Sequence, residues 1–277
     1  MSLAEAAQLA SRGHPPRLRR LLAIGGASER LLYGSVGLVG LTVIWEVTSG
    51  LGLYRRSLLS SPSLIWSAAV TDFGSGTIWP HIAVSLNEFA IGSLVAFAVG
   101  IPLGFAIGLF RRLDYFASVL LAGLYATPNV ALIPLIVLVA GIGLESKVIV
   151  VFLSTFFSIV VSTVSGVHSV ARRHIEITRS FGGSQWLAFR SVVLPSTIPF
   201  ILSGIRIGAG RALVGVVSAE FLSANVGLGF YISLYGQFLD TSRVMLGIVL
   251  FGLFGIVIGE LVRVVERRFE AWRPEIH

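Results

Sequence analysis

The chain has 277 residues, 55% of them hydrophobic and only 13% charged, where an average soluble domain carries about 25%. With a mean hydropathy of +0.86, so apolar a chain cannot be covered with polar surface, which all but excludes a water-soluble enzyme. The net charge of +7 would suit nucleic acid, yet basic residues in a membrane protein report orientation, so no nucleic-acid partner is expected.

A bilayer crossing uses about 20 mostly apolar residues, and the composition predicts an all-α integral membrane protein with about six transmembrane helices. Residues 1–30, with Arg12, Arg17, Arg19, Arg20 and Arg30, read as a cytoplasmic N-terminal tail. No small-residue cleavage site follows a short apolar core, so this tail is expected to be retained. A single six-helix domain should then occupy 31–265, its spans predicted at 31–53, 82–110, 116–140, 147–170, 197–222 and 244–265. Pro102, Pro128, Pro134 and Pro199 lie in or at the ends of spans, where neighbouring helices can tolerate kinks. Residues 266–277 read as a cytoplasmic C-terminal tail.

With the N-terminus inside, fifteen Arg and Lys residues fall on cytoplasmic segments and four on outer ones: Arg55, Arg56, Lys147 and Arg243. That asymmetry predicts an N-in, C-in topology. The longest inner connection, 171–196, mixes charges and glycines with apolar Ile175, Ile177, Phe181, Trp186, Leu187 and Phe189. By composition alone it could equally be a helix lying on the bilayer.

Missing motifs narrow the chemistry. There is no phosphate-cradling Gly-x4-Gly-Lys-Ser/Thr loop, and the only lysine, Lys147, follows Ser146. His14, His81, His168, His174 and His277 lack metal-ligand spacing, and there is no cysteine. No Gly-x-Ser-x-Gly elbow or intramembrane aspartate pair occurs. Neither a catalytic residue, a metal site nor a cofactor is expected, so any ATP and Mg²⁺ would be held by another chain.

The inner connection reads Glu176-Ile-Thr178-Arg-Ser-Phe-Gly182, nine residues, then Val192-Val-Leu194-Pro195. This resembles the cytoplasmic signature of ABC-importer permeases, Glu-Ala-Ala, three residues, Gly, nine residues, Ile-x-Leu-Pro. Here Ile177 and Thr178 stand for the two alanines and Val192 for the isoleucine. A short amphipathic helix would end at Gly182, and Pro195 would stop a second stretch before span five. Tyr125-Ala-Thr127-Pro128-Asn129, Gly141-Ile-Gly-Leu-Glu145, Gly204-Ile-Arg206-Ile-Gly208, Glu220-Phe-Leu and Gly227-Leu-Gly229 are similar to the nitrate/sulfonate/taurine/bicarbonate branch.

The resemblance implies a type I importer bundle in the bacterial inner membrane. It implies a dimer of ABC ATPase subunits, an extracytoplasmic solute-binding protein and a second copy of this chain. The cargo would be a small anionic solute of the nitrate, sulfonate or taurine kind. Glu176, Thr178, Gly182, Ser184, Leu194 and Pro195 would couple the spans to the ATPase. An ATP-independent channel is the rival reading, disfavoured because it has no use for the Glu-to-Leu-Pro connection. An intramembrane enzyme lacks its nucleophile.

Charges within spans are costly, at least about 2.5–3.5 kcal/mol each, and need a role. Arg211 lies about 22 Å into span five, and Glu46 and Glu88 reach depths that would allow either to pair with it. A structural Arg211–Glu88 or Arg211–Glu46 ion pair is the first expectation. Its rival places Arg211 on the solute pathway, with Tyr125, Thr127, Asn129, Arg206 and Glu220 as further pathway candidates. Glu220 could instead snorkel to the outer surface. Glycines four apart in spans two, five and six predict close helix packing, within the bundle or at a dimer seam.

Overall fold

The structure, a computed structural model, describes residues 16–51, 60–170, 172–223 and 225–268. Every regular element among the described residues is helical, and residues 1–64 and 65–277 form two compact units. In the first, helix α1 (Pro16–Gly50) begins within the segment expected as a polar tail, and the rest of that tail lies outside the described residues. Its Leu32–Gly50 stretch is apolar and long enough to span the bilayer. Glu46 is held by Ser63, which donates its N–H (3.0 Å) and hydroxyl (2.7 Å) to the carboxylate. A negative group there suits the first turn of α2 (Pro62–Gly74).

The second unit holds α3 (Ile78–Leu109), α4 (Arg111–Ala126), α5 (Asn129–Ala140), α6 (Leu144–Ser169), α7 (Arg172–Ser180), α8 (Gln185–Ala188), α9 (Leu194–Ser223), α10 (Leu228–Gln237) and α11 (Thr241–Arg268). Four of these helices, α9 joined to the segment before it, could each cross a membrane alone; α4 and α5 are apolar and long enough only as a pair, bent by 95° between them. Span three is therefore broken rather than continuous. The break falls where Thr127 and Pro128 are both extended, a backbone that proline favours in the residue before it.

The core is α6, gripped by α3 on one side and α9 on the other. Gly92, Gly100, Gly104 and Gly108 of α3 meet Val151, Ile159, Thr163 and Val167 of α6, each pair 59 positions apart (92 and 151, 100 and 159, 104 and 163, 108 and 167). A constant offset is what parallel helices give when equivalent ridges interlock. On the other side, Gly204 and Gly208 of α9 face Ser162 and Thr155 of α6. Both glycine rows therefore serve the chain's own bundle, where the absence of Cβ lets backbones approach. In α11, Gly255 meets Leu213 at 3.3 Å from its would-be Cβ, whereas Gly259 has nothing within 4 Å.

A Cβ on Gly104 would lie 2.6 Å from Thr163 Cβ, whereas one on Gly123 would meet nothing within 4 Å. Gly104→Leu should thus cost at least about 1–3 kcal/mol by overpacking, and Gly123→Leu little. Melting curves of the detergent-solubilised protein check this; equal midpoints for the two variants would contradict the packing argument.

At the outer end, Asp72 of α2 is 3% exposed. It takes a bidentate grip from Arg243 of α11, Nε to Oδ2 at 2.9 Å and Nη2 to Oδ1 at 3.1 Å. The Tyr231 hydroxyl of α10 donates to the same carboxylate, and Arg243 also reaches Asp240 at 2.8 Å. Burial disfavours the charge on Asp72, but the hydrogen bonds from Arg243 and Tyr231 hold its carboxyl below the usual range. Burial, and then the neighbouring carboxylate, push the Tyr231 phenol up.

Candidate solute pathway and coupling segment

The break between α4 and α5 opens a cleft of about 300 Å³. Tyr125, Thr127 and Asn129 line it from the break, Ser154 from α6, and Arg211 and Ser218 from α9. Thr127 caps the end of α4 by donating its hydroxyl to Gly123 O (2.9 Å), and α5 starts with its first turn at the cleft. The Arg211 guanidinium carbon sits 4.1 Å from the centroid of the Tyr125 ring, a cation–π contact. Four of the six pathway candidates, Tyr125, Thr127, Asn129 and Arg211, thus share one site.

The other two lie elsewhere. Arg206 pairs with Glu266 near the inner end of α11. Glu220 is 1% exposed, so it does not snorkel. Its Oε1 accepts from Ser85 Oγ and its Oε2 from the Gly229 N–H, both at 2.6 Å. Ser85 Oγ in turn accepts from the Leu228 N–H at 2.8 Å, and the Gly227 N–H donates to His81 Nδ1 at 3.1 Å. These side chains pin the loop before α10. Gly227 is required there, with φ +141° and a would-be Cβ on the Glu220 carboxylate.

The expected Arg211 ion pair is replaced by another. Lys147 pairs with Glu88, and Glu46 is occupied by Ser63. Lys147, which the sequence places at the outer edge of span four, stands on the first turn of α6, which begins three residues earlier at Leu144. It stands 59 positions from Glu88, the same offset as the glycine ridge. The parallel pairing of α3 and α6 was the missing signal. Glu88 is fully buried and Lys147 6% exposed, so each offsets the desolvation of the other.

On the cytoplasmic side, α7 ends as its sequence predicts. Gly182 has φ +79°; its N–H donates to Arg179 O and that of Gly183 to Thr178 O, both at 2.9 Å, the left-handed glycine termination of a helix. Thr178 donates to His174 O at 3.0 Å. Ser184 caps α8 by accepting from the Leu187 N–H at 3.2 Å. Glu176 is exposed, as are Phe181 (89%) and Trp186 (67%).

Pro195 does not stop the helix. α8 runs through a π-helical stretch, Phe189–Val193, into α9, with Leu194 N–H bonded to Phe189 O. A widened turn relieves the clash between a proline ring and the preceding turn, so the helix continues past the ring.

The chain matches the family of binding-protein-dependent transport system inner membrane components over residues 100–271. It is 35% identical to the aliphatic sulfonates transport permease protein SsuC of Escherichia coli, covering 86% of this chain and 91% of that one. The riboflavin transport system permease protein RibX of Chloroflexus aurantiacus is also 35% identical, over 86% of this chain and 88% of its own. Among solved structures, the inward-facing methionine ABC transporter MetNI shares the fold, with TM-score 0.60 over 72% of this chain and 99% of that one at 17% identity. Such subunits are not themselves enzymes; an ATPase and a binding protein belong to the assembly. Five or six apolar helices long enough to cross a membrane among the described residues, the glycine-ended inner helix and these likenesses together place the chain in the family of inner-membrane permease subunits of ABC importers.

Proposed function

We propose that this permease carries a small anionic solute of the sulfonate or taurine kind through the cleft at the broken span. The relatives named above are assigned cargoes as different as aliphatic sulfonates and riboflavin, so membership alone does not set the charge of the cargo. The observation that carries the reading is Arg211, half-buried in a cleft where the first turn of α5 also opens. A guanidinium and the positive end of a half-helix both favour an anion.

The chain works as one of two identical copies. Glu176, Thr178, Gly182, Ser184, Leu194 and Pro195 form the segment on which the ATPase dimer docks, with Phe181 and Trp186 as its exposed apolar contacts. ATP and Mg²⁺ are bound by the ATPase, and closure of that dimer switches the spans between two rigid states. The solute-binding protein delivers cargo from outside.

Uptake by the complex reconstituted with its ATPase and binding protein tests this. Arg211→Gln should raise the half-saturating concentration of an alkanesulfonate about tenfold or more, the loss of one charge-assisted contact, and Arg211→Lys should retain part of the affinity. Unchanged uptake by Arg211→Gln would refute the anion reading.

A further inference from the structure

Tyr125 lines two clefts. The first is the one that contains Arg211; the second, of about 240 Å³, is bounded by Asp114, Ser118 and Ala122 of α4 and by Val161 and Ser165 of α6. Along α6 the linings pass from Ser154 in the first cleft to Ser165 in the second, about 16 Å nearer the cytoplasm at 1.5 Å per residue. Along α4 the same direction leads from Tyr125 to Asp114, whose carboxylate lies 3.7 Å from His168 Nε2 at the inner end of α6. The Tyr125 ring therefore divides an outer, cationic cleft from an inner one bearing a carboxylate. Arg211 rests on that ring.

Resting on the pathway reading above, we propose that Tyr125 is the inner gate of the pathway and that Arg211 is its latch, released when the solute's anionic group takes the guanidinium from the ring. A cation–π contact is weaker than a charge-assisted, two-pronged hydrogen bond between guanidinium and an oxyanion, so an arriving anion outcompetes the ring for the same cation. A neutral solute of equal size offers the guanidinium nothing better and leaves the gate shut. Selection for charge thus occurs at the gate, because a ligand shifts an equilibrium only through its differential affinity for the two states. Beyond the ring, the Asp114 carboxylate gives an anion no reason to stay, which favours release inward.

The chain has no cysteine, so single cysteines report without background from this subunit. In the complete complex, in vesicles accessible from the cytoplasmic side, Ser118→Cys in the inner cleft should react readily with a membrane-impermeant methanethiosulfonate. Ser218→Cys in the outer cleft should react at least about tenfold more slowly, and Tyr125→Ala should remove that difference. Tyr125→Phe keeps the aromatic face and should leave Ser218→Cys slow; Arg211→Gln frees the ring and should speed it. Assembly of each variant is checked by co-purification of the ATPase.

Fast labelling of Ser218→Cys with Tyr125 and Arg211 both intact would overturn the gate, as would an unchanged slow rate in both Tyr125→Ala and Arg211→Gln. If neither cysteine reacts from either face, the clefts are not on an aqueous route and the pathway reading itself falls. If Ser118→Cys reacts while Ser218→Cys reacts only from outside, whatever residue stands at 125, the route survives and only the gate is lost.

Discussion

Replacing Lys147 with methionine is expected to lower the stability of the subunit by about 3–5 kcal/mol, the usual consequence of removing one partner from a buried ion pair. The side chain is the one cation among the described residues that interacts with two buried carboxylates, Glu88 at 0% and Glu220 at 1% exposure. It also reaches Val226 O at 3.5 Å, so its loss loosens the loop that precedes α10. The remedy should be specific. Glu88→Gln added to Lys147→Met removes the stranded charge and should recover most of the loss, while Glu220 keeps its donors Ser85 and Gly229. Melting midpoints and monodispersity of wild type, Lys147→Met and the double variant in detergent settle this; a Lys147→Met protein as stable as wild type, or one that Glu88→Gln does not improve, would show that the pair carries no such weight.

The second large effect is on coupling. A proline at 182 cannot adopt φ +79° and removes the N–H that donates to Arg179 O. The chain after α7 must then leave in another direction, carrying Trp186 away from the place at which the proposed docking segment presents it. Solute-stimulated ATP hydrolysis by the Gly182→Pro complex should fall about tenfold or more, equivalent to about 1.4 kcal/mol of lost docking. Asparagine tolerates the left-handed region, so Gly182→Asn should retain most of the stimulation. Full stimulation in an assembled Gly182→Pro complex would remove the turn from the coupling path.

Prolines show where local reading reaches its limit. Pro102, Pro134 and Pro199 all sit inside intact helices, whereas Pro128 separates two helices at 95°. Pro128 differs from the others in its polar neighbours Thr127 and Asn129, but polar neighbours alone do not dictate a break. What distinguishes the two outcomes is whether neighbouring groups satisfy the backbone that a proline frees, which is a property of the packed bundle. Pro195 makes the same point, since the π-helical stretch before it lets the helix pass where a stop was expected.

Other features were local and could be read directly. Apolar windows locate spans because lipid admits little else, and arginine counts orient them because charge is retained on the cytoplasmic side. The end of α7 at Gly182 also follows from one residue's tolerance of positive φ. Clustering of Tyr125, Thr127, Asn129 and Arg211 was partly visible, as polar residues around a proline and an intramembrane cation each called for a role.

Partners across helices were not visible. Depth along each span allowed Arg211 to meet Glu88, but depth is one coordinate, and which helix faces which is another. The glycine ridge of α3 packs on α6 in parallel register, and that register sets Lys147 opposite Glu88 and leaves Arg211 to the Tyr125 ring. The sequence by itself determined that the chain is built of apolar helices long enough to cross a membrane and where the inner helix ends, because burial in lipid and backbone conformation act over a few residues. Only the tertiary structure decided which charges pair and which line the cleft, because desolvation makes every buried charge take whichever partner close packing brings within reach.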